Sequence, residues 1–309
     1  MAHPVEGIHH VTSLASSAVT NNAFFTRLLG LRRVKKTVNF DAPDVYHLYY
    51  GNEIGSPGTA MTYFPFEGAA RGRRGSGEVS VTAFSVPPGS LPAWEDRLSR
   101  AGLSGLGRDR RLGEERLRFE GPDGEGFALV EIDDARAPWS DGPVAPDMAI
   151  RGFHSVSLRL ADAGPTAELL HFMGYHEDAR EGSLTRFALP DSNGAGRVDI
   201  EVVEALPAGQ GAGSVHHVAF AVPDRAAEEA MRTALIAEGL NVTPPIDRDY
   251  FWSIYFRSPG GVLFEIATDG PGFTRDEEAG HLGEALKLPR QHEHLRARLE
   301  TGQLVPLDA

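Results

Sequence analysis

The chain has 309 residues, no cysteine and a formal net charge of −13, with 43 acidic against 30 basic residues. Its length suits about two domains of roughly 150 residues each, and its acidic balance disfavours nucleic acid or an anionic membrane surface as a partner. Because cysteine is absent, disulfides, thiolate nucleophiles and cysteine-based zinc sites are excluded, which leaves histidine and carboxylate side chains to hold any transition metal.

Taken in chain order, the predicted elements repeat a strand, a helix and then two or three further strands. The four first strands are runs rich in β-branched residues with alternating polarity, and they lie at 7–14, 79–86, 152–160 and 215–222. Each precedes an amphipathic stretch that ends in glycine and an apolar residue, a pattern typical of a helix C-terminus. These glycines, which lie 72, 72 and 65 residues apart, are Gly30, Gly102, Gly174 and Gly239.

The repeat predicts four tandem βαβββ modules and an α+β fold, because one supersecondary unit recurs through the chain. We place a domain boundary in the proline-rich segment 136–148. Modules 1 and 2 are then expected to form one domain over residues 1–135, and modules 3 and 4 a second domain over residues 150–270. A polar tail follows at 271–309, and its residues 290–300 have the pattern of an amphipathic helix.

Two histidine pairs occupy the same place in the first strands of modules 1 and 4. Their second members, His10 and His217, align with each other, whereas modules 2 and 3 have Val81 and Ser155 there. The last strand of module 4 contributes Glu265. Imidazole and carboxylate groups suit non-haem iron, manganese or zinc when no thiolate is available. If modules 1 and 4 face each other, His10, His217 and Glu265 are therefore the candidate metal ligands.

The other modules each lack a part of this set. Alignment of the last strands puts Thr62 of module 1, Glu131 of module 2 and Glu201 of module 3 at the position of the module 4 glutamate. Glu131 and Glu201 have no histidine partner, so we interpret them as surface carboxylates and modules 2 and 3 as scaffold. Among the remaining histidines, His47 and His281 are the two that we single out as further candidates for the site.

The tandem βαβββ arrangement over residues 5–270 resembles the vicinal oxygen chelate superfamily, which includes glyoxalase I, bleomycin-resistance proteins and extradiol dioxygenases. The resemblance implies two half-open β-barrel domains whose concave faces hold a metal or a ligand. Glyoxalase I enzymes supply four protein ligands, one of them a carboxylate at the position of Thr62. The missing fourth ligand favours an iron dioxygenase over an isomerase, since iron with three protein ligands keeps open positions for a substrate and dioxygen.

Three stretches resemble the hydroquinone-type 1,2-dioxygenases, a ring-cleaving group: GIHHVT at 7–12, VHHVAF at 215–220 and RDYFWSIYFRSPGGVLFEIATD at 248–269. The resemblance implies Fe(II) at the three candidate ligands. The residues that it implies around the metal, for substrate binding and proton transfer, are His9, Thr12, His216, Arg248 and Tyr255. In a regular strand, His9 and His216 would face away from the ligands beside them, so their participation requires the resemblance to hold or a β-bulge.

We therefore expect an Fe(II)-dependent, extradiol-type dioxygenase that adds both atoms of O2 to a small aromatic diol, in the first place a hydroquinone, with a homo-oligomer as a further expectation. The alternatives are a glyoxalase-like isomerase or lyase that uses Mn(II), Zn(II) or Ni(II), and a metal-free protein that binds a small molecule. The sequence shows no leader pattern at its start and no run of about 18 apolar residues. The expected location is the cytoplasm, without membrane association.

Overall fold

All four predicted βαβββ modules are present in the computed structural model, which describes residues 5–307. Module 1 contains β1 (Ile8–Ala15), α1 (Ala18–Ala23) with a π-helical turn (Phe24–Leu28), β2 (Arg32–Val38), β3 (Tyr46–Gly51) and β4 (Ala60–Pro65). Module 2 contains β5 (Glu78–Val86), α2 (Leu91–Arg100), β6 (Gly107–Arg111), β7 (Glu114–Glu120) and β8 (Gly126–Glu131). Module 3 contains β9 (Gly152–Leu160), α3 (Gly164–Phe172), β10 (His176–Glu181), β11 (Leu184–Ala188) and β12 (Arg197–Val202). Module 4 contains β13 (Val215–Val222), α4 (Arg225–Ala237), β14 (Ile246–Asp247), β15 (Phe251–Arg257) and β16 (Leu263–Pro271).

The helices end where the sequence pattern predicts. The glycines that follow them have φ angles of 72°, 70°, 96° and 85°, in the left-handed region that closes a helix and that glycine adopts without steric cost. In chain order these residues are Gly30, Gly102, Gly174 and Gly239. The chain then turns into the second strand of each module, so the repeated glycine marks the end of each helix and the return of the chain to the sheet.

The modules combine into two curled eight-stranded sheets, which we call sheet I and sheet II. Sheet I has the strand order β14–β15–β16–β13–β1–β4–β3–β2 and joins modules 1 and 4. Sheet II has the order β10–β11–β12–β9–β5–β8–β7–β6 and joins modules 2 and 3. At the centre of each sheet the first strands of its two modules run antiparallel, and each is parallel to the last strand of its own module. The α+β class and the two half-barrels are thereby confirmed.

The sheets group the modules differently from the predicted domains. Each sheet draws one module from residues 1–135 and one from residues 150–270, because β1 pairs with β13 and β5 pairs with β9 across the predicted boundary. On one side, the first strand of each module pairs with the last strand of its own module, and on the other side it pairs with the first strand of a module from the other predicted domain. Which first strand pairs there is decided by long-range packing, so neighbours in the chain are not neighbours in these sheets.

The tail runs beside the edge of sheet I. It contains short helical segments at Phe273–Arg275, Ala279–His281, Arg290–Leu295, Arg296–Arg298 and Leu299–Gln303, the last three of which cover the predicted helix as an irregular succession of 3-10, α and π turns. Lys35 of β2 is fully buried, and its Nζ donates to Asp276 at 2.7 Å and to the main-chain oxygen of Phe273 at 3.1 Å. The contacts of this buried ammonium group fasten the start of the tail to the sheet.

One continuous hydrophobic core serves both sheets. Its buried members include Ile8 and Val218 from the seam of sheet I and Phe84 and Phe153 from the seam of sheet II. The two seams are thus held together by apolar packing, which fixes the strands that carry the candidate ligands. None of the helices in the described part of the chain combines the length and the apolar character needed to cross a membrane.

Candidate metal centre

The two histidine pairs lie at the seam of sheet I, and each begins with a β-bulge. Relative to its partner strand, β1 has one extra residue at His9, and β13 has one extra residue at His216. A bulge leaves one residue unpaired and turns its side chain away from the regular alternation. Neighbouring histidines can therefore approach the same site. The β-bulge that the participation of His9 and His216 requires is present in both strands.

The three candidate ligands converge. His10 Nε2 lies 3.2 Å from His217 Nε2 and 3.4 Å from Glu265 Oε2, and His217 Nε2 lies 2.9 Å from Glu265 Oε2. Separations of this size are those that three ligand atoms about 2.1 Å from one cation would show. All three side chains are buried, and Glu265 Oε1 has no hydrogen-bond partner within residues 5–307. Among the residues that the structure describes, this is the group whose His and carboxylate atoms could hold one metal ion.

The ionisation of the group also suits a cation. Burial opposes ionisation of Glu265, but His10 and His217 outweigh it and hold the pKa of this carboxyl well below its usual range. Burial lowers the pKa of His217, against the opposing effect of Glu265, so that the imidazole is neutral near pH 7. A carboxylate together with imidazole nitrogens is the donor set that divalent transition metals accept, so the residues present fit a metal ion.

The outer histidine of each pair contacts the ligand beside it through Nδ1. His9 Nδ1 lies 2.9 Å from His10 Nδ1, and His216 Nδ1 lies 2.8 Å from His217 Nδ1. Burial lowers the pKa of His9 to about 3 and that of His216 to about 4, and the neighbouring ligand histidine adds to each shift. Because both outer rings are neutral, each can accept a hydrogen bond from the Nδ1–H of its ligand and so fix which nitrogen faces a metal.

A cavity of about 410 Å³ opens over this group, a volume in the range of small-molecule sites. The three candidate ligands and His216 line it, whereas His9 does not. Its aromatic lining residues are Phe40, Tyr49, Phe64, Phe66, Phe251 and Tyr255. The site can therefore receive a flat apolar ring directly beside the ligand atoms.

Arg248 and Tyr255 form a polar wall of this cavity. Arg248 Nε donates to Tyr255 Oη at 3.1 Å, and Ser253 Oγ donates to the same oxygen at 3.0 Å. Burial and the charge of Glu265 raise the pKa of Tyr255, so the phenol stays protonated. Since its oxygen already accepts two hydrogen bonds, the Tyr255 hydroxyl proton is free to be donated to a bound molecule. The structure thus brings these two predicted residues to the cavity beside the candidate metal ligands.

Thr12 is close to the site but does not line the cavity. Its Oγ1 lies 2.8 Å from Thr62 Oγ1, which lies 3.0 Å from His47 Nε2, and His47 Nδ1 lies 2.9 Å from Tyr49 Oη. His47, one of the two further histidines singled out from the sequence, therefore lies at the cavity wall. The other, His281, is 70% exposed and pairs with a nearby glutamate in the tail. Tyr49 belongs to no motif and was missed by sequence reasoning.

Strand register corrects the alignment of the last strands. Glu265 lies opposite the residue two positions after His217. The corresponding residue is Thr62 in module 1, as predicted, but Asp199 in module 3 and Ala128 in module 2. The glutamates aligned there from the sequence lie two and three residues farther along their strands, and these are Glu201 and Glu131.

Comparison with known proteins places this geometry in a family. The model of the Glyoxalase/Bleomycin resistance protein/Dioxygenase superfamily matches residues 130–266. The chain is 40% identical over 306 residues to MhqO of Bacillus subtilis, which is named as a candidate ring-cleaving dioxygenase, and covers 97% of it with 98% of its own length. It is 38% identical to the chlorohydroquinone/hydroquinone 1,2-dioxygenase of Sphingobium indicum, with 96% of this chain and 95% of that protein covered. The chain belongs to the Glyoxalase/Bleomycin resistance protein/Dioxygenase superfamily.

Solved structures from this superfamily agree with the fold. A crystal structure of a candidate dioxygenase from Bacillus subtilis superposes with a TM-score of 0.95 at 39% identity, over 99% of this chain and 98% of that one. Glyoxalase I from Zea mays superposes with a TM-score of 0.64 at 14% identity, over 85% and 92% of the two chains. The second likeness concerns the fold alone, whereas the first extends through the whole length at substantial identity.

Proposed function

We propose that this protein is a non-haem Fe(II)-dependent, extradiol-type dioxygenase that opens an aromatic diol, in the first place a hydroquinone, by adding both atoms of O2. The observation that carries the proposal is the convergence of His10, His217 and Glu265 at one wall of an aromatic cavity, with Thr62 where a fourth ligand would stand. The names of the relatives support the same reaction class and the hydroquinone.

The metal would be held by two imidazole nitrogens and one carboxylate. Bound iron would supply adjacent positions for a diol oxygen and dioxygen and a path for electrons between them. The same ligands would accept Mn(II), Zn(II) or Ni(II), so the choice of iron is supported by the oxygen-dependent chemistry named for the relatives and by the three-ligand set. The protein's own contribution is to bind, orient and protonate.

Arg248 and Tyr255 would bind the diol oxygen nearest the ligands. The free hydroxyl proton of Tyr255 is a hydrogen-bond donor in a partly buried site, and the Arg248 guanidinium behind it adds positive charge. Such donors stabilise negative charge as it develops on an oxygen, because they are oriented before the reaction begins. Arg248 Cζ also lies 5.2 Å from the Tyr255 ring centre, so the guanidinium contacts the ring as well as the hydroxyl.

His216 and His9 would have different roles. If a metal occupies Nε2 of each ligand histidine, the ligand Nδ1 must carry a proton and donate it to the outer histidine. The outer rings then carry their own proton on Nε2. His216 lines the cavity and can donate that proton as a hydrogen bond to a bound diol or dioxygen atom, whereas His9 does not line the cavity and orients His10. Thr12 supports the wall through Thr62.

The proposal is tested by anaerobic reconstitution with Fe(II) followed by an oxygen-electrode screen with hydroquinone, chlorohydroquinone, methylhydroquinone and catechol. We expect one iron per chain and oxygen uptake that matches the loss of a hydroquinone mole for mole. An iron-loaded chain that consumes no oxygen with any diol would refute the dioxygenase, and turnover without oxygen would indicate the isomerase. Failure to bind any metal would indicate a binding protein. The cytoplasmic location and the homo-oligomer stay predictions.

A further inference from the structure

The cavity has a second polar group, on the module 1 side of sheet I. Tyr49 lies opposite Thr62 in the β3–β4 pair, and Tyr255 lies opposite Glu265 in the β15–β16 pair. Thr62 and Glu265 occupy matching positions in modules 1 and 4. The two tyrosines are therefore structural equivalents, contributed to one cavity by the two modules that build it. In the proposed function Tyr255 has a role and Tyr49 has none.

Tyr49 is the last member of a buried hydrogen-bond chain. The chain runs from Thr12 through Thr62 and His47 to the Tyr49 hydroxyl, with successive separations of 2.8, 3.0 and 2.9 Å. Burial, followed by the effects of His10, His217 and Arg248, lowers the pKa of His47 well below its usual range, against the opposing effect of Glu265, so its ring is neutral. A neutral imidazole has one donor and one acceptor nitrogen. Every member of the chain can therefore reverse its direction.

This reversibility decides what Tyr49 can offer to a ligand. When His47 Nδ1 accepts the Tyr49 proton, the phenol oxygen is left with lone pairs that can accept from a ligand hydroxyl. When His47 Nδ1 donates to Tyr49, the Tyr49 proton is free for a ligand oxygen. Threonine hydroxyls adapt to either case because they both donate and accept. Tyr49 could therefore form a hydrogen bond with either a hydroxyl or a carbonyl oxygen on the ligand. A substrate oxygen that loses its proton during the reaction would keep this hydrogen bond.

Apart from the groups on the metal side, three further polar side chains line the cavity, and all three belong to loops: Asn39, Asp41 and Gln210. Asn39 is half-buried, and its Oδ1 already accepts a hydrogen bond from the main-chain nitrogen of Asp41 at 2.9 Å. Asp41 is 86% exposed, and Gln210 is also exposed, so both meet solvent at the mouth. His47 and Tyr49 are 8% and 2% exposed and lie inside. The Phe64 ring centre lies 4.3 Å from that of His47 and 5.8 Å from that of His216, so an apolar surface joins this polar group to the metal side of the cavity.

We infer that the His47–Tyr49 pair is the binding site for the second oxygen of the substrate, the one that does not face the metal ligands. The inference rests on the proposed function and deepens it, because it assigns the substrate class to rings with oxygen atoms on opposite carbons. A ring with two adjacent oxygens places both beside the ligands and leaves this pair without a partner. Tyr49 is thus a specificity-determining residue, and Thr62 and Thr12 position it through His47.

The test is a binding cycle that removes one hydroxyl from the ligand and one from the protein. Anaerobic calorimetry with Fe(II)-loaded protein measures the dissociation constants of hydroquinone and phenol for the wild type and for Tyr49→Phe. We expect hydroquinone to bind the wild type roughly five- to tenfold more tightly than phenol, and this ratio to fall to about one in Tyr49→Phe. Phenol itself should bind both proteins equally. Tyr46→Phe is the matched control, because Tyr46 lies on the opposite face of β3 and donates to Val305 in the tail.

The outcomes separate the two proposals. If both ligands bind and the ratio is the same in wild type and Tyr49→Phe, the second-oxygen site is refuted while the proposed function stands. If neither ligand binds the iron-loaded wild type, both proposals fail. Should Tyr49→Phe not fold, 4-methylphenol replaces the variant, since its methyl group has nearly the size of a hydroxyl and makes no hydrogen bond. Binding of 4-methylphenol as tight as that of hydroquinone would overturn the inference, and binding at the level of phenol would support it.

Discussion

Sheets I and II have the same strand arrangement but carry different side chains at their centres. Both have antiparallel first strands at the seam and a bulge in each of them: at His9 and His216 in sheet I, and at Ser80 and His154 in sheet II. The residues after the bulges are the two candidate ligand histidines, His10 and His217, in sheet I. In sheet II they are Val81 and Ser155, which do not bind metals.

The carboxylate at the ligand position of sheet II is neutralised by the protein itself. Asp199 corresponds to Glu265, and Arg186 stands where sheet I has Tyr255. Arg186 Nε and Nη2 donate to the two carboxylate oxygens of Asp199 at 2.7 and 3.0 Å, and its Nη1 donates to Glu114. The bulge residue His154 also contacts Glu114, at 3.1 Å. A buried ion network therefore fills the place that sheet I leaves for a ligand.

The difference shows how one module can serve either stability or function. A buried carboxylate is costly unless a counter-charge reaches it. Arg186 supplies that charge for Asp199, whereas the Glu265 carboxylate faces only His10 and His217, and its Oε1 has no hydrogen-bond partner among the described residues. Sheet I thus keeps an unsatisfied carboxylate beside a cavity, which is the condition for binding an exchangeable cation. The comparison can be tested by changing matched residues in the two sheets.

The largest effect is expected for Glu265→Ala. Loss of the only carboxylate in the ligand set should abolish stoichiometric iron binding and lower dioxygenase activity at least about 1,000-fold, since a metal centre contributes several kcal/mol to the reaction. Metal analysis of the purified protein and oxygen uptake measure the two effects, and the far-UV spectrum should be unchanged.

Glu131→Ala is the control for this variant. Glu131 Oε1 accepts a hydrogen bond from the main-chain nitrogen of Leu91 at the start of α2, at 2.7 Å. Its removal should cost about 1 kcal/mol of stability, as the loss of a helix cap does, and leave the iron content at one per chain. Equal loss of iron in both variants would refute the ligand assignment.

Asp199→Asn should have the opposite character. It removes one partner of a buried ion pair and leaves Arg186 with Glu114 alone, so the free energy of unfolding should fall by about 3 kcal/mol. Urea denaturation measures the loss. Iron content and the Michaelis constant for the diol should not change, because no part of the sheet II network lines the cavity.

A more exposed carboxylate in the same strand provides the control. Glu201 lies two residues after Asp199 and pairs with Arg111 at 3.6 Å, with 36% of its side chain exposed. Glu201→Gln should cost less than about 1 kcal/mol, since exposed pairs contribute little. A cost as large as that of Asp199→Asn would mean that burial does not decide the role of these carboxylates.

A smaller effect on iron affinity is expected from changing the histidines at the β-bulges. His216→Ala removes the ring whose Nδ1 lies 2.8 Å from His217 Nδ1. It should weaken iron binding and lower activity by about 10- to 100-fold, the usual effect of losing an outer partner of a metal ligand. His154→Ala changes the equivalent bulge of sheet II and should leave iron affinity unchanged. Titration with Fe(II) under anaerobic conditions distinguishes the two. Iron affinity that is the same in both variants would contradict the assigned tautomers.

The sequence predicts what depends on local pattern. The four modules follow from alternating strands and glycine helix ends, and the convergence of His10 and His217 follows from the repeat, because equal positions in equal modules meet at a seam. Glu265 could be found because, in the sequence alignment of the modules, module 4 alone combines a histidine at the ligand position of its first strand with a glutamate at the aligned position of its last strand. The pairing of module 1 with module 4, on which the site depends, could only be stated as a condition.

What the sequence misses depends on register and on unpatterned contacts. A strand slipped by two or three residues still reads as a strand, so Glu201 and Glu131 were aligned where Asp199 and Ala128 stand. Tyr49 reaches the site through a partner in β4, and no spacing along the chain reveals this. Bulges are equally invisible, since an extra residue is recognised only against the strand beside it.

The smallest effect is expected on stability, from two neighbouring carboxyl groups in sheet I: Asp269 at the end of β16 and Glu6 just before β1. Burial raises the pKa of Asp269 to about 7, and the neighbouring Glu6 adds to the shift. At the matching places sheet II has Gly77 and Val203, which carry no charge. Because the folded state holds this proton more tightly than the unfolded chain, whose carboxyl has a pKa of about 3.9, stability should fall as pH rises from about 4 through 7.

Asp269→Asn removes that dependence. Asp269 is only partly buried, so screening by solvent limits the expected gain to roughly 1 kcal/mol, about 2 °C in melting temperature, at pH 8. The gain should shrink steadily toward pH 4.5, where the wild-type carboxyl is protonated in the folded protein. Melting curves of both proteins between pH 4.5 and 8.5 measure it, with Glu6→Gln as the reciprocal variant, which should give a gain of the same sign. A gain that is independent of pH would show that the asparagine acts by packing and that the two carboxyl groups do not share a proton.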